Sequence, residues 1–354
     1  MLKRSGAQIA RAAAPPNRNA PPVPSAKPLV DKTMNDYQQT VFDHFQQEDF
    51  SWLAAEAARV RAMKARLPGG YWKLRTLYGI LESPKGAGDQ PSDQHWQRHF
   101  ARLESWISQQ PDSITPRVAL ALSWTWYGWQ ARGDGVASTV TEEGWVRFKE
   151  RLEKASGILD QARHLNERCP QFYLAALTIG RGLGWSRTIL DQYFAEGAAL
   201  EPTYNPLYQE RAFFLLPRWG GHEGDWERFA ESSAQAIGGQ QGDIVFFTIY
   251  STMMPYYGID FMPEHKQAAP RLMAGFRAID ELYGSSAHRL NEACLFSFFA
   301  EDPKATVELI DRIGKDVDPE VWRIPGNFET LRESFQKAKN ADAGARQRGG
   351  ADKR

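Results

Sequence analysis

Apolar side chains recur at steps of three and four from residue 36 to residue 335, the spacing that gathers them on one face of an α-helix. No stretch shows the alternating pattern or the Val/Ile/Thr enrichment of a sheet. "FSWLAAEAARVRAMKARLPGG" puts Phe50, Leu53, Ala57 and Val60 on one stripe and stops at Pro-Gly-Gly, with "YWKLRTLYGILES" as a short helix after it. The loop over 83–93 leads to a helix with stripe Trp96, Phe100, Leu103 and Ile107, for which Asp93 is the expected cap. "TVTEEGWVRFKERLEKASGILDQARHL" is the clearest helix in the chain. Thr141 caps it, Glu142 and Glu143 favour its first turn, and Trp145, Phe148, Leu152, Ala155, Leu159 and Ala162 form its apolar stripe. Further helices are expected near 170–182, 187–200, 205–216, 224–237, 243–254, 266–283, 286–300, 303–313 and 326–338.

"WTWYGWQARGDG" (124–135) crowds three Trp and a Tyr into six positions. At 100° per residue, Leu120, Trp124, Tyr127 and Ala131 share one face, and Val118, Leu122, Trp126 and Trp129 share another. Ala121, Thr125 and Gly128 lie between, small enough for a neighbouring helix to come close. Rings that diverge in this way serve burial, whereas a ligand cage needs them to converge. The Arg132-Gly133-Asp134 tripeptide is a helix end, with Gly133 or Gly135 expected in the left-handed conformation.

The helices come in pairs. "ARHLNERCPQFYLAAL" and "GAALEPTYNPLYQERA" echo one another, with Leu165 and Leu200 35 residues apart, close to the roughly 34-residue tetratricopeptide period. The fold class is therefore all-α, an irregular helix-pair (tetratricopeptide-like) α-solenoid with disordered termini. Residues 1–33 form a basic Pro/Ala-rich leader, 34–336 the helical domain with a possible division near 135–141, and 337–354 a basic tail.

Charge sharpens this division. Taking the tails' eleven basic and two acidic residues from the chain's 43 and 43 leaves 32 against 41 for residues 31–336, a charge of −9. A negative body repels phosphate backbones, so nucleic acid is not an expected partner of the folded part. Cys169 and Cys294 are the only cysteines, which excludes a disulfide scaffold or a cysteine-rich zinc module. No apolar run approaches the roughly 20 residues that cross a bilayer. Gln8 and Arg11 interrupt the apolar segment a signal peptide needs, so a cytoplasmic location is expected.

Four stretches resemble the bacterial domain of unknown function 4034 family. They are "RAMKARLPGGYWKL", "PDSITPRVALALSWTWYGWQARGDG", "ALEPTYNPLYQERAFFLLPRWGGHEGDWERFA" and "RLNEACLFSFFAEDPKATVELIDRIGKDVDPEVW". They occur in the same order between Phe45 and Trp322. The resemblance implies a tetratricopeptide-like helical fold and supplies no catalytic residues.

The best candidate for chemistry is "LPRWGGHEGDWERF" (215–229), which crowds Arg218, Trp219, His222, Glu223, Asp225 and Trp226 into a Gly-rich loop, with Arg132 or Tyr127 as neighbours. Its plain alternative is an interhelical turn in which Asp225 caps the next helix and both Trp pack inward, and that reading is favoured. His95 and His99 have a zinc-compatible spacing but lack a second ligand cluster, so exposed helix histidines are expected. "GRGLGW" (180–185) joins helix to helix without a following Lys-Ser/Thr and is a tight turn. Cys169 precedes a turn proline and Cys294 sits among apolar residues, where a thiol is inert. With no catalytic motif, the expected function is a non-enzymatic scaffold for a protein or peptide partner, without cofactor or metal. The alternatives are a small-molecule binder or enzyme using the 218–226 loop, or a neutralising partner of a bacterial toxin.

Overall fold

The computed structural model describes residues 32–88, 90–133, 135–257, 261–322 and 326–337. Residues 1–31 of the expected leader and 338–354 of the expected tail lie outside the described residues, as does Asp134, while Lys32 and Thr33, expected in the leader, begin the first helix. The chain is all-α, as its apolar spacing requires. The helices are α1 (Lys32–Gln46), α2 (Phe50–Ala62), α3 (Lys73–Leu81), α4 (Asp93–Gln109), α5 (Ile114–Arg132), α6 (Glu142–Arg163), α7 (Pro170–Leu183), α8 (Arg187–Leu200), α9 (Asn205–Phe213), α10 (Asp225–Ile237), α11 (Gly239–Tyr257), α12 (Phe261–Glu264), α13 (Ala269–Tyr283), α14 (Ala287–Phe299), α15 (Pro303–Ile313), α16 (Pro319–Trp322) and α17 over 327–337.

Alternate helices pack in succession, α5 on α7, α7 on α9, α9 on α11 and α11 on α13. Helix α6 lies along α5 and α7, α8 along α7 and α9, and α10 along α9 and α11. The echo between the joins has a structural counterpart, because α7 and α9 both begin with proline in the first turn, where its missing N–H costs nothing. Close approach depends on small residues: a Cβ on Gly128 of α5 would stand 2.4 Å from Leu152 Cδ1 of α6. Buried side chains from Val41 to Phe335 make one contiguous core, so the connection over 135–141 joins helices of the same core.

Several local expectations change. Pro68-Gly69-Gly70 follows the helix stop at Ala62 and forms the tip of a small hairpin, β1 (Arg66–Leu67) against β2 (Tyr71–Trp72), with Arg66 opposite Trp72. The hairpin ties distant parts together. Gly69 N–H donates to Gly284 O at 2.7 Å, and Trp72 Nε1 donates to Thr203 O at 3.2 Å. Ser92, not Asp93, caps α4 by accepting from His95 N–H, because Asp93 already stands inside the first turn. Thr141 caps α6 as expected, accepting from Gly144 N–H at 3.0 Å. Gly133 ends α5 at φ +75°, a positive value as expected, with an extended ψ.

The diverging aromatic faces of α5 are only partly buried. Val118, Leu122 and Tyr127 are buried, Trp124 and Trp129 are half-buried, and Trp126 is 41% exposed. The packing that covers Val118 and Leu122 stops short of the helix's last turns. Trp145, expected on the buried stripe of α6, is 38% exposed for the same reason, since it lies in the first turn beside the α5–α6 connection.

Candidate functional site

The 215–229 segment divides its residues among three environments. Pro217–Trp219 make a single 3-10 turn and Gly220 takes a left-handed conformation. Gly221 has no room for a side chain, since a Cβ there would lie 2.0 Å from Leu215 O. Gly224 is the residue before α10, and Asp225 occupies the helix's first position, so Asp225 is not the cap residue expected from sequence. Its carboxylate instead reaches back to His222 N–H (2.8 Å) and forward to Arg228 (2.6 Å). The His222 backbone donor holds the Asp225 carboxyl below its ordinary value, with Arg228 and the His222 side chain assisting. His222 and Glu223 are exposed. This part of the loop is a helix start.

Trp226 points the other way. Its ring is fully buried against Tyr250 (centroids 4.8 Å), Tyr257, Phe261 and His265, and its Nε1 donates to Tyr257 Oη at 2.7 Å. His265 Nε2 lies 3.3 Å from Glu227 Oε1, closing an aromatic cluster around a buried imidazole. Trp226 is core.

Arg218 and Trp219 belong to a third setting, the one that draws in Arg132. The Trp219 ring meets Trp129 edge to face at 6.2 Å and Phe213 at 6.0 Å, and Phe213 meets Tyr256 at 5.1 Å. Trp129 in turn meets Phe148 at 4.7 Å, which meets Trp145 at 5.8 Å. Guanidinium groups alternate with these rings. Arg132 lies 5.5 Å over Trp129 and 5.3 Å over Trp145, and Arg218 lies 4.4 Å over Tyr256 and 4.8 Å over Phe213. Arg181 occupies the centre, 4.8–5.1 Å from Phe213, Trp219 and Trp129, and pairs with Glu210 at 3.1 Å. Trp129, Arg181, Phe213 and Tyr256 sit in the last turns of α5, α7, α9 and α11. The strip therefore follows the C-terminal ends of these four helices, where arginine also favours the helix dipole. Each such cation–ring contact contributes about 0.5–2 kcal/mol, according to its desolvation.

Tyr127 lies apart from this strip. Its hydroxyl donates to Asp93 Oδ1 at 2.7 Å, its ring packs among Trp96, Phe100 and Trp124, and Arg151 covers it at 3.2 Å. The two histidines of α4 also part company. Neither is fully exposed as expected: His95 is half-buried, and His99 is buried, with Nε2 2.8 Å from Leu81 O and 3.2 Å from Ser123 Oγ. The i,i+3 spacing from Trp96 and i−4 from Leu103 puts His99 on the buried side of the helix, which the zinc-spacing argument overlooked. Both cysteines are buried, and burial pushes the Cys294 thiol up to about 12. Gly180 and Gly182 of "GRGLGW" continue α7, and only Gly184 turns the chain.

A dense buried polar cluster, not evident from the sequence, lies on α14. Helix α14 carries His288, Arg289, Asn291 and Glu292 on two adjacent turns. Glu292 is fully buried, with Arg289 (2.7 Å), His288 (3.3 Å) and Ser251 around its carboxylate, and the Arg289 and His288 charges draw it down to about 2 against the opposing effect of burial. His288 Nδ1 stands 2.7 Å from Oδ2 of the fully buried Asp318. Asn291 Oδ1 accepts from Asp318 N–H and Trp322 Nε1, pinning the 316–322 turn on the helix. The available signal was four polar side chains at i, i+1, i+3 and i+4 in a helix that is otherwise apolar.

No family model matches this chain, and no curated protein matches it. No described helix is long and apolar enough to cross a membrane.

Proposed function

We propose that this chain is a non-enzymatic scaffold, a helix-pair array of tetratricopeptide-like type that docks a protein or peptide along the arginine–aromatic strip. One observation carries the reading: Trp145, Trp129, Trp219, Phe213 and Tyr256 interleave with Arg132, Arg181 and Arg218 across four helix ends, the rings half-buried except the exposed Trp145. Trp, Tyr and Arg are the side chains that dominate binding energy at protein interfaces, because each offers a rigid apolar face with a polar edge. Exposed Trp126, Val136 and Val146 extend apolar surface along α5, its connection and α6. The same helical architecture fits the resemblance to the domain of unknown function 4034 family, which we keep as a proposal. The 218–226 loop offers less to an enzyme, since His222 and Glu223 face solvent while Trp226 is enclosed.

The test is selection of displayed peptides on the purified chain, followed by affinity measurement on a Trp126→Ser/Trp145→Ser variant. Both residues are exposed, so the fold tolerates the change. Selected peptides should bind the variant at least about tenfold more weakly, since an interface Trp commonly carries more than 1.4 kcal/mol. Peptides that bind both proteins equally, or an unenriched library, reject the reading.

A further inference from the structure

The polar cluster on α14 also gathers a nitrogen and two carboxylates at one point. A ring nitrogen of His288, an Asp318 carboxylate oxygen and a Glu320 carboxylate oxygen lie within 4.8 Å of one another, and it is Nδ1 that faces Asp318. Each is oriented from behind. Asp318 Oδ1 accepts Glu320 N–H at 2.9 Å, which leaves Oδ2 facing His288. His288 Nε2 faces Glu292 at 3.3 Å, and Glu292 is itself fixed by Arg289 and Ser251. A ligating imidazole whose second nitrogen donates to an anchored carboxylate is the recurrent outer arrangement of metal-binding histidines, because it fixes the tautomer and ring plane.

The buried carboxylates of Asp318 and Glu292 flank the imidazole of His288 on its two nitrogens. We propose that His288 Nδ1, Asp318 Oδ2 and Glu320 hold a first-row divalent cation of the Zn²⁺ or Mn²⁺ kind, with Glu292 as the outer carboxylate that orients His288. One nitrogen and two carboxylates suit these borderline ions better than Ca²⁺ or Mg²⁺, which prefer all-oxygen shells. Binding replaces the hydrogen that bridges His288 and Asp318, which leaves to solvent. The ion joins α14 to the turn before α16, so it locks the 316–322 segment on the helix.

The full chain, stripped with a chelator, is titrated calorimetrically with ZnCl₂, MnCl₂, CaCl₂ and MgCl₂, and with CoCl₂ while the visible absorption of ligated Co²⁺ is followed. One equivalent of Zn²⁺ or Mn²⁺ should bind, Co²⁺ should show ligand-field bands, and Glu320→Gln and His288→Gln should each weaken binding at least about tenfold. Glu320 is half-exposed, so Glu320→Gln keeps the comparison informative if His288→Gln fails to fold. Absence of saturable Zn²⁺ or Mn²⁺ binding, or binding that Glu320→Gln leaves unchanged, overturns the site. Neither result bears on peptide docking at the strip, which uses other residues.

Discussion

Leu152 of α6 is held between two glycines 54 positions apart: a Cβ on Gly128 of α5 would come 2.4 Å from its Cδ1, and one on Gly182 of α7 would come 2.1 Å from its Cδ2. Leu152 is fully buried, so it cannot retreat from one glycine without meeting the other. Glycine within a helix costs about 0.5–1 kcal/mol relative to alanine, and overpacking a filled core costs about 1–3 kcal/mol. Overpacking wins here. Gly128→Ala and Gly182→Ala should each lower stability by about 1–2 kcal/mol in urea denaturation. In a Leu152→Ala background, itself costing about 2–5 kcal/mol, the same substitutions should become neutral or stabilising. Unchanged penalties in that background would show that Leu152 is not the obstacle.

His99 gives the fold a dependence on mild acid. Burial, helped by Arg102 and Lys85 and opposed by the Leu81 carbonyl, pulls its imidazole down to about 4 from the ordinary 6.5. The folded chain keeps His99 neutral over a range in which the unfolded chain takes up a proton. This contribution is therefore whole above pH 6.5 and is lost as the pH falls toward 4, amounting to about 3 kcal/mol. Urea midpoints at pH 7 and pH 4.5 should lie closer together in His99→Gln than in the native sequence. Equal pH slopes in the two proteins would contradict the assignment.

Arg181 ties the strip to Glu210 and both side chains are mostly buried, so its removal leaves the Glu210 carboxylate without that partner. Arg181→Ala should cost about 3–5 kcal/mol. Arg181→Lys keeps the charge but loses the flat guanidinium that meets Trp129, Phe213 and Trp219 at once, and should recover less than half of that loss in thermal denaturation. Full recovery by lysine would reduce the strip to a single ion pair.

The helical class was legible because burial on one side leaves a period-3.6 signature, and the stripes of α2, α4 and α6 largely emerged where spacing put them. Trp145 and Trp126 departed because a helical wheel says which residues share a face, not how far along the helix a neighbour covers it. The hairpin at 66–72 escaped because strands of two residues are too short to alternate, and Pro-Gly-Gly punctuates a helix stop and a turn alike. The 215–229 residues attracted notice by density in sequence, yet the turn sends Arg218, His222 and Trp226 in different directions. His288, Asn291, Glu292 and Asp318 were less visible because each looks like ordinary helix surface until burial and the return of the 316–322 turn bring them together.

The hairpin tip supplies a sharper test of how the chain's ends are joined. Gly69 combines φ +79° with an approach in which a Cβ would stand 2.6 Å from Ser286 Oγ, and its N–H and C=O bond Gly284 and Arg289. Gly69→Ala faces both penalties, left-handed strain of about 1–2 kcal/mol and displacement of Ser286, which caps α14. The damage should therefore be shared between regions more than 200 residues apart. Hydrogen exchange should speed up at the hairpin amides and in the first turns of α14 together, with a stability loss of about 2–4 kcal/mol. A variant that loosens only residues 66–72 would mean that the Gly284 and Ser286 contacts contribute little to holding the N-terminal helices against α13 and α14.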